Sequence, residues 1–236
     1  MRGLFITGVG TEVGKTYVAA QIAKQLVEQG VRVGVYKPVA SGCERVDGQL
    51  VSEDADSLWE AAGRPLTPDA VCPQKFIAPL APNLAAAEEG KQVDEDLLRR
   101  GLFAWEAHAD VVLVEGAGGL MSPLSEGDYN ASLAIDFGFP LVIVAANRLG
   151  AINDTLQTVI TANMVATVRE GTRVPIAGVV LNEVAPNPDP SCATNAREIE
   201  QRCDAPFLAR TDWQGGFDRS VDWASLAGKL ALSVDR

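Results

Sequence analysis

The sequence of 236 residues predicts an α/β fold: a three-layer, P-loop NTPase-type fold with a mostly parallel central sheet. Two patterns and one motif carry that expectation. Apolar runs at 4–6, 31–36, 111–114, 141–145 and 176–181, with a weaker one at 207–208, are mostly continuous, as strands covered on both faces require. Between them, segments with helical spacing fall at 15–29, about 53–62, 83–89, 94–107, 153–170 and 193–203, so strands alternate with helices. The segment Gly8-Val9-Gly10-Thr11-Glu12-Val13-Gly14-Lys15-Thr16 joins the first strand to the first helix, where a phosphate-binding loop belongs.

Taken in order, the first strand, Leu4-Phe5-Ile6, ends in glycines that let the chain curl around an anion. The general motif is Gly, four residues, then Gly-Lys-Ser/Thr. Here Val9 stands at the first Gly position, so the loop read from Gly8 is one residue longer. Lys15 supplies a full charge to outer phosphates, and the Thr16 hydroxyl is a hard oxygen ligand for Mg²⁺. Apolar positions from Val18 to Leu26 then recur at helical spacing.

The second strand ends in Tyr36 and is followed by Lys37-Pro38, where a lysine can stabilise charge developing on a transferred group. Ser41-Gly42 continues that loop. The stretch Ser52-Glu53-Asp54-Ala55-Asp56-Ser57 reads as an acid-rich helix start, which the helix dipole alone would favour; a metal role for Asp54 or Asp56 requires one of them to face the phosphates. The strand at 111–114 leads to Glu115, in the position of a Walker-B acid, and then to Gly116-Ala117-Gly118-Gly119. The next two strands lead to Asn147-Arg148-Leu149-Gly150 and to Asn182. In open α/β sheets ligands collect at these carboxyl ends.

Composition narrows the function. A chain of this length, 47% apolar and without a Ser/Gly/Pro-rich linker, is expected to form one domain over 1–236. A net charge of −11 argues against nucleic acid or an anionic membrane as partner, and makes Lys15 and Lys37 local exceptions. Cys43, Cys72, Cys192 and Cys203 show no metal-ligand spacing, so free thiols in a reducing compartment are expected. The chain enters a strand within a few residues, leaving no room for a secretion signal, and no uncharged stretch reaches membrane-spanning length; a cytoplasmic location follows as the expectation. The single histidine, His108, sits at a helix end, and no Gly-x-Ser-x-Gly elbow supports triad hydrolysis.

Five stretches together resemble the dethiobiotin synthase family: Gly8 with Thr11-Glu12-Val13-Gly14-Lys15-Thr16, Tyr36-Lys37-Pro38-Val39-Ala40-Ser41-Gly42, Asp54-Ala55, Val114-Glu115-Gly116-Ala117-Gly118-Gly119, and Leu149-Gly150-Ala151-Ile152-Asn153. The longer P-loop is normal for that family. The resemblance implies ATP, CO₂ and a 7,8-diaminononanoate-like diamine as substrates, with Mg²⁺. It also implies the family's reaction, in which CO₂ captures an amine as a carbamate, ATP phosphorylates the carbamate, and the second amine closes a cyclic urea.

Carried over by position, Glu12, Val13, Gly14, Lys15, Thr16 and Tyr17 would hold the nucleotide together with Asp54, Glu115, Gly116, Ala117 and Gly118, and Asn182 and Asp212 would bind it on the adenine side. Thr16, Asp54 and Glu115 would surround Mg²⁺. Lys15 and Lys37 would be catalytic, neutralising the carbamate and the transferring phosphoryl group. Ser41, Gly118 and Gly119 would bind substrate. Gly150, Ala151 and Asn153 would bind its carboxylate from a neighbouring subunit, implying a homodimer with shared sites.

The departures, one of them inside the phosphate loop, leave the phosphate and metal residues unchanged. Gly10 replaces a frequent Asp, Ala81-Pro82-Asn83 replaces Ser-Pro-His, Pro190 to Thr194 lacks a tyrosine, and Asp212 replaces a proline. The alternative class is a P-loop switch ATPase of the partitioning type, but such loops usually carry an early second lysine, absent from Val9-Gly10-Thr11.

Overall fold

The long apolar strands form the centre of the molecule. A computed structural model describes residues 1–168 and 174–231. Nine strands run β1 (Arg2–Gly8), β2 (Val33–Tyr36), β3 (Glu44–Val46), β4 (Gln49–Val51), β5 (Val111–Gly119), β6 (Leu141–Ala146), β7 (Ile176–Asn182), β8 (Phe207–Thr211) and β9 (Gly228–Lys229) among the described residues. The α-helices there are α1 (Lys15–Glu28), α2 (Glu53–Ala61), α3 (Pro68–Val71), α4 (Pro82–Glu88), α5 (Glu95–Arg100), α6 (Asn130–Phe137), α7 (Ala151–Val168), α8 (Cys192–Arg202) and α9 (Trp223–Leu226).

Six parallel strands lie in the order β2-β5-β1-β6-β7-β8, and β9 adds antiparallel to the start of β1. The central strands are buried along most of their length, which is why they read as continuous apolar runs rather than alternating ones. The chain leaves central β1 for β2 on one side and later returns to β6 on the other. The loop after β1 therefore opens at the point where the strand order reverses, the ligand crevice of such sheets. None of the described helices is long and apolar enough to cross a membrane.

Several elements differ from the sequence expectation for identifiable reasons. Glu115 does not follow its strand: β5 continues to Gly119, with Glu115 paired to Ile6 of β1. The helix expected over 94–107 ends at Arg100 and tightens into a 3₁₀ turn, Gly101–Trp105. The Tyr36 hydroxyl lies 2.8 and 3.1 Å from the Leu97 and Leu98 carbonyls, packed against the turn where the α-helix ends. A Cβ at Gly101 would sit 2.3 Å from that hydroxyl.

The β3–β4 hairpin was legible in principle, because Asp47-Gly48 forms its two-residue turn with both φ positive, 50° and 83°. Helix α6 was also unforeseen, although its apolar run ends at Gly138 with φ 66°, a usual helix stop. Short α3, α9 and β9 carry too few residues to show a period. The end of the 153–170 helix, residues 169 and 170, lies outside the described residues.

Candidate active site

The loop between β1 and α1 is built by two left-handed residues. Glu12 has φ 58° and Gly14 φ 85°, so the chain folds back on itself before entering α1. Gly14 is required twice over, since a Cβ there would also come within 2.0 Å of Asn182 Nδ2. The start of the loop is tied to the sheet by the Val9 N–H, which donates to the Val144 carbonyl at 2.9 Å. Lys15 Nζ bends over the loop to donate to the Gly10 carbonyl at 3.0 Å. Burial draws the Lys15 pKa below its ordinary value; the Glu115 and Asp54 carboxylates oppose that shift, while the nearby Lys37 cation adds to it.

Four side chains meet beside Lys15. Lys37 Nζ, on a residue 4% exposed, lies 2.5 Å from Glu115 Oε1 and 2.8 Å from Asp54 Oδ2. Thr16 Oγ1 lies 2.9 Å from Asp54 Oδ1 and 2.9 Å from Glu115 Oε1. Burial alone would lower the Lys37 pKa, but the two carboxylates reverse the effect and hold it above the ordinary lysine value. Burial likewise pushes Asp54 up, and Lys37, Thr16 and Lys15 bring it below the ordinary carboxylate value.

The local structure explains the convergence. Ser52 caps α2 by accepting from the Ala55 N–H, which sets Asp54 in the first turn facing Thr16. Asp56 lines a separate cleft with Arg45, Trp59 and Lys75, so the geometry selects Asp54 as the carboxylate facing the loop. The strand-end loop carrying Lys37 is held along 71–78: the Lys37 and Ala40 N–H groups donate to Val71 and Gln74, at 2.8 and 2.9 Å.

This donor set fits a hard divalent cation. Thr16 has one hydroxyl proton and two carboxylate oxygens at equal distance, and Glu115 Oε2 is buried without a hydrogen-bond partner. Among the described residues no three His, Cys, Asp or Glu side chains converge, so Thr16, Asp54 and Glu115 would supply only part of such a cation's coordination shell. That is the usual situation for Mg²⁺ shared with phosphate oxygens.

Two pockets adjoin there, of about 350 and 400 Å³. The first holds Lys15, Thr16, Lys37 and Asp54, the second Gly42, Pro79, Leu80 and Ser122. Thr11, Glu12, Ser41, Ala117 and Gly118 line both. The other candidate positions fall elsewhere. Gly150, with φ 99°, Ala151 and Asn153 form the start of α7 and line neither pocket of their own chain. Tyr17 donates its hydroxyl to the Gly215 carbonyl, tying the turn that begins at Asp212 to α1. His108 is exposed in the turn before β5.

Two groups expected to face ligands have partners within the protein. Asn182, expected at the adenine edge, is 3% exposed: its Nδ2 donates to the Val13 carbonyl at 3.0 Å and its Oδ1 accepts from the Thr211 hydroxyl. In this structure it supports the loop from beneath. The Gly119 N–H, expected on the substrate side, donates instead to Ser122 Oγ at 2.9 Å. Residues that sequence reasoning passed over, Asn130 and Ser122, shape the glycine-rich end of β5. The signal for Asn130 was its place before the apolar run of α6.

A parallel sheet with this loop, a lysine and a threonine at the helix start and an acid on the neighbouring strand define a P-loop nucleotide-binding protein. Residues 2–220 match the family described as an AAA domain. The chain belongs to the ATP-dependent dethiobiotin synthetase family: it is 47% identical to that enzyme of Rhodopirellula baltica over 87% of this chain and 82% of the relative. It is 39% identical to the one of Bacillus subtilis, over 89% and 87%.

Solved structures show the fold. A ParA family ATPase from Chlorobium tepidum TLS aligns with TM-score 0.54 at 15% identity, over 90% of this chain and 85% of that one. The signal recognition particle receptor FtsY from Elizabethkingia anophelis, with GDP, aligns with TM-score 0.50 at 14% identity; this chain spans 61% of its length.

Proposed function

We propose that the chain, acting as one domain over 1–236, is an ATP- and Mg²⁺-dependent cyclo-ligase that converts 7,8-diaminononanoate and CO₂ to dethiobiotin, a step of biotin biosynthesis. The observation that carries the reading is the buried Lys37 ammonium between Glu115 and Asp54, beside the P-loop and a second pocket large enough for an organic substrate. The names of the relatives support the same activity.

In this reading Glu12 to Tyr17 hold ATP, and Thr16, Asp54 and Glu115 hold Mg²⁺, which supplies charge neutralisation of the phosphates. Lys15 and Lys37 stabilise the carbamate and the phosphoryl group moving to it, and Ser41 and Gly118 bind the carbamate side. The second amine then attacks the carbamoyl carbon of the mixed anhydride, expelling phosphate and closing the cyclic urea. No general base is prominent in this site, so positioning and charge stabilisation supply most of the acceleration.

The reading includes a homodimer in the cytoplasm. Leu149 and Ile160 on and before α7 are 82% and 61% exposed, an apolar face that a second copy would cover while presenting Gly150, Ala151 and Asn153 to its neighbour's substrate carboxylate. Purified protein given ATP, Mg²⁺, bicarbonate and the diamine should release phosphate in step with the cyclic urea. ATP turnover indifferent to the diamine overturns the reading in favour of a switch ATPase. Mixing Lys37→Ala with Asn153→Ala subunits should restore a fraction of the activity; no recovery removes the shared site.

A further inference from the structure

Asn130 opens α6 with no exposed surface, and its amide faces the glycine-rich end of β5. Its Oδ1 accepts from the Ala117 N–H at 3.1 Å, and its Nδ2 donates to the Ala117 and Gly119 carbonyls, both at 2.7 Å. The fit leaves no slack: a Cβ at Gly116 would meet Asn130 Oδ1 at 2.4 Å. Both ends of the Asn130 amide are therefore bonded to the strand whose residues 117 and 118 form the common wall of the two site pockets.

That strand end needs an external support. Strand β2 stops at Tyr36, opposite Val114, so β5 runs beyond it without a neighbour on that edge. Pairing with β1 also slips between Ile6–Glu115 and Gly8–Gly119. The strand end from 116 to 119 is Gly-Ala-Gly-Gly, with almost no side chain to pack and the largest backbone entropy to lose. A buried asparagine amide offers the donor and acceptor that a neighbouring strand would.

Asn130 is itself fixed. Its own N–H reaches the Ser122 carbonyl at 3.3 Å, and the next N–H, of Ala131, reaches that of Leu120 at 2.9 Å. Two residues earlier, Asp128 is gripped by both Arg99 terminal nitrogens at 2.9 and 2.7 Å.

We propose that Asn130 is a positioning residue for the ligation: its three hydrogen bonds set the Ala117–Gly119 backbone and hence the wall that holds the amine substrate. This rests on the reading of that wall as substrate-facing. Ala117 and Gly118 line both pockets, but Asn130 makes no hydrogen bond to the P-loop or Lys37, so its loss should act more strongly on the amine side than on nucleotide binding.

The test compares Asn130→Ala with the unaltered chain by hydrogen exchange and by steady-state kinetics with ATP and the diamine. Exchange of the 117–122 amides should rise while α1 is unchanged, and the diamine KM should rise about tenfold with the ATP KM within about twofold. Unchanged exchange overturns the clamp. Raised exchange with an unchanged diamine KM shows instead that the wall does not face substrate. Equal losses for both substrates, with exchange raised throughout, reduce Asn130 to a structural role and overturn the proposal. If Asn130→Ala does not fold, Asn130→Asp, of the same size and keeping the acceptor while losing both donors, is judged by the same readouts.

Discussion

Lys37 Nζ and Glu115 Oε1 stand 2.5 Å apart with almost no water access to either residue: 4% and 1% of their side-chain surface is exposed. Two buried charges are costly to desolvate singly and tolerable only as a pair. Replacing Glu115 by Leu leaves Lys37 with the half-exposed Asp54 as its remaining carboxylate. That variant should lose roughly 3 kcal/mol of stability in urea unfolding, and adding Lys37→Met should recover most of it. Simple additivity of the two single changes would show that the pair is not energetically coupled.

The same ammonium occupies the carboxylates proposed for the metal. With Lys37→Met, Asp54 and Glu115 lose their directly bonded ammonium and keep only the Lys15 cation nearby. Mn²⁺ should then bind the nucleotide-free variant several-fold more tightly than the parent, measured by calorimetry or electron paramagnetic resonance. Turnover should fall on the order of 100-fold or more, with the ATP KM within about threefold. Full activity in the variant would take Lys37 out of the chemistry.

The pH dependence of stability follows from two opposite shifts. Asp54 has a folded pKa below the ordinary 3.8, so its contribution is complete above that value and disappears as pH falls through the lower folded one. Lys37 has a folded pKa above the ordinary 10.5, so its contribution is complete below 10.5 and fades as pH rises through the higher folded one. Urea midpoints followed against pH should show Asp54→Asn flattening the acid limb and Lys37→Met flattening the alkaline limb. A change confined to the neutral range in either variant would contradict this assignment.

Asn182 supports Val13 rather than standing open to a base, so Asn182→Ala should weaken nucleotide generally. ADP and GDP affinities, read by equilibrium titration, should fall by a similar factor of about ten. A loss confined to the adenine nucleotide would make Asn182 a reader of the base after all.

The phosphate loop was legible in the sequence because its chemistry is local: glycines, a lysine and a threonine lie within nine residues between one strand and one helix. Lys37 and Glu115 were also visible, because each closely follows a continuous apolar run. Asn130 was not visible as a support, because its partners lie 13 and 11 residues earlier and the intervening loop has no period to read. The extension of β5 was hidden too, since glycines signal a turn in sequence but stay in the ladder when a neighbouring strand approaches closely.

By itself, then, the sequence determined the parallel α/β class, through its unbroken apolar strands, and the phosphate loop, through residue types fixed by short-range geometry. Tertiary structure alone decided that Asp54 rather than Asp56 meets Thr16 and Lys37, that Asn182 faces Val13, and that Asn130 holds Ala117 and Gly119. Those contacts join segments far apart in the chain, and directed hydrogen bonds depend on the packing of whole elements, which local residue patterns do not encode.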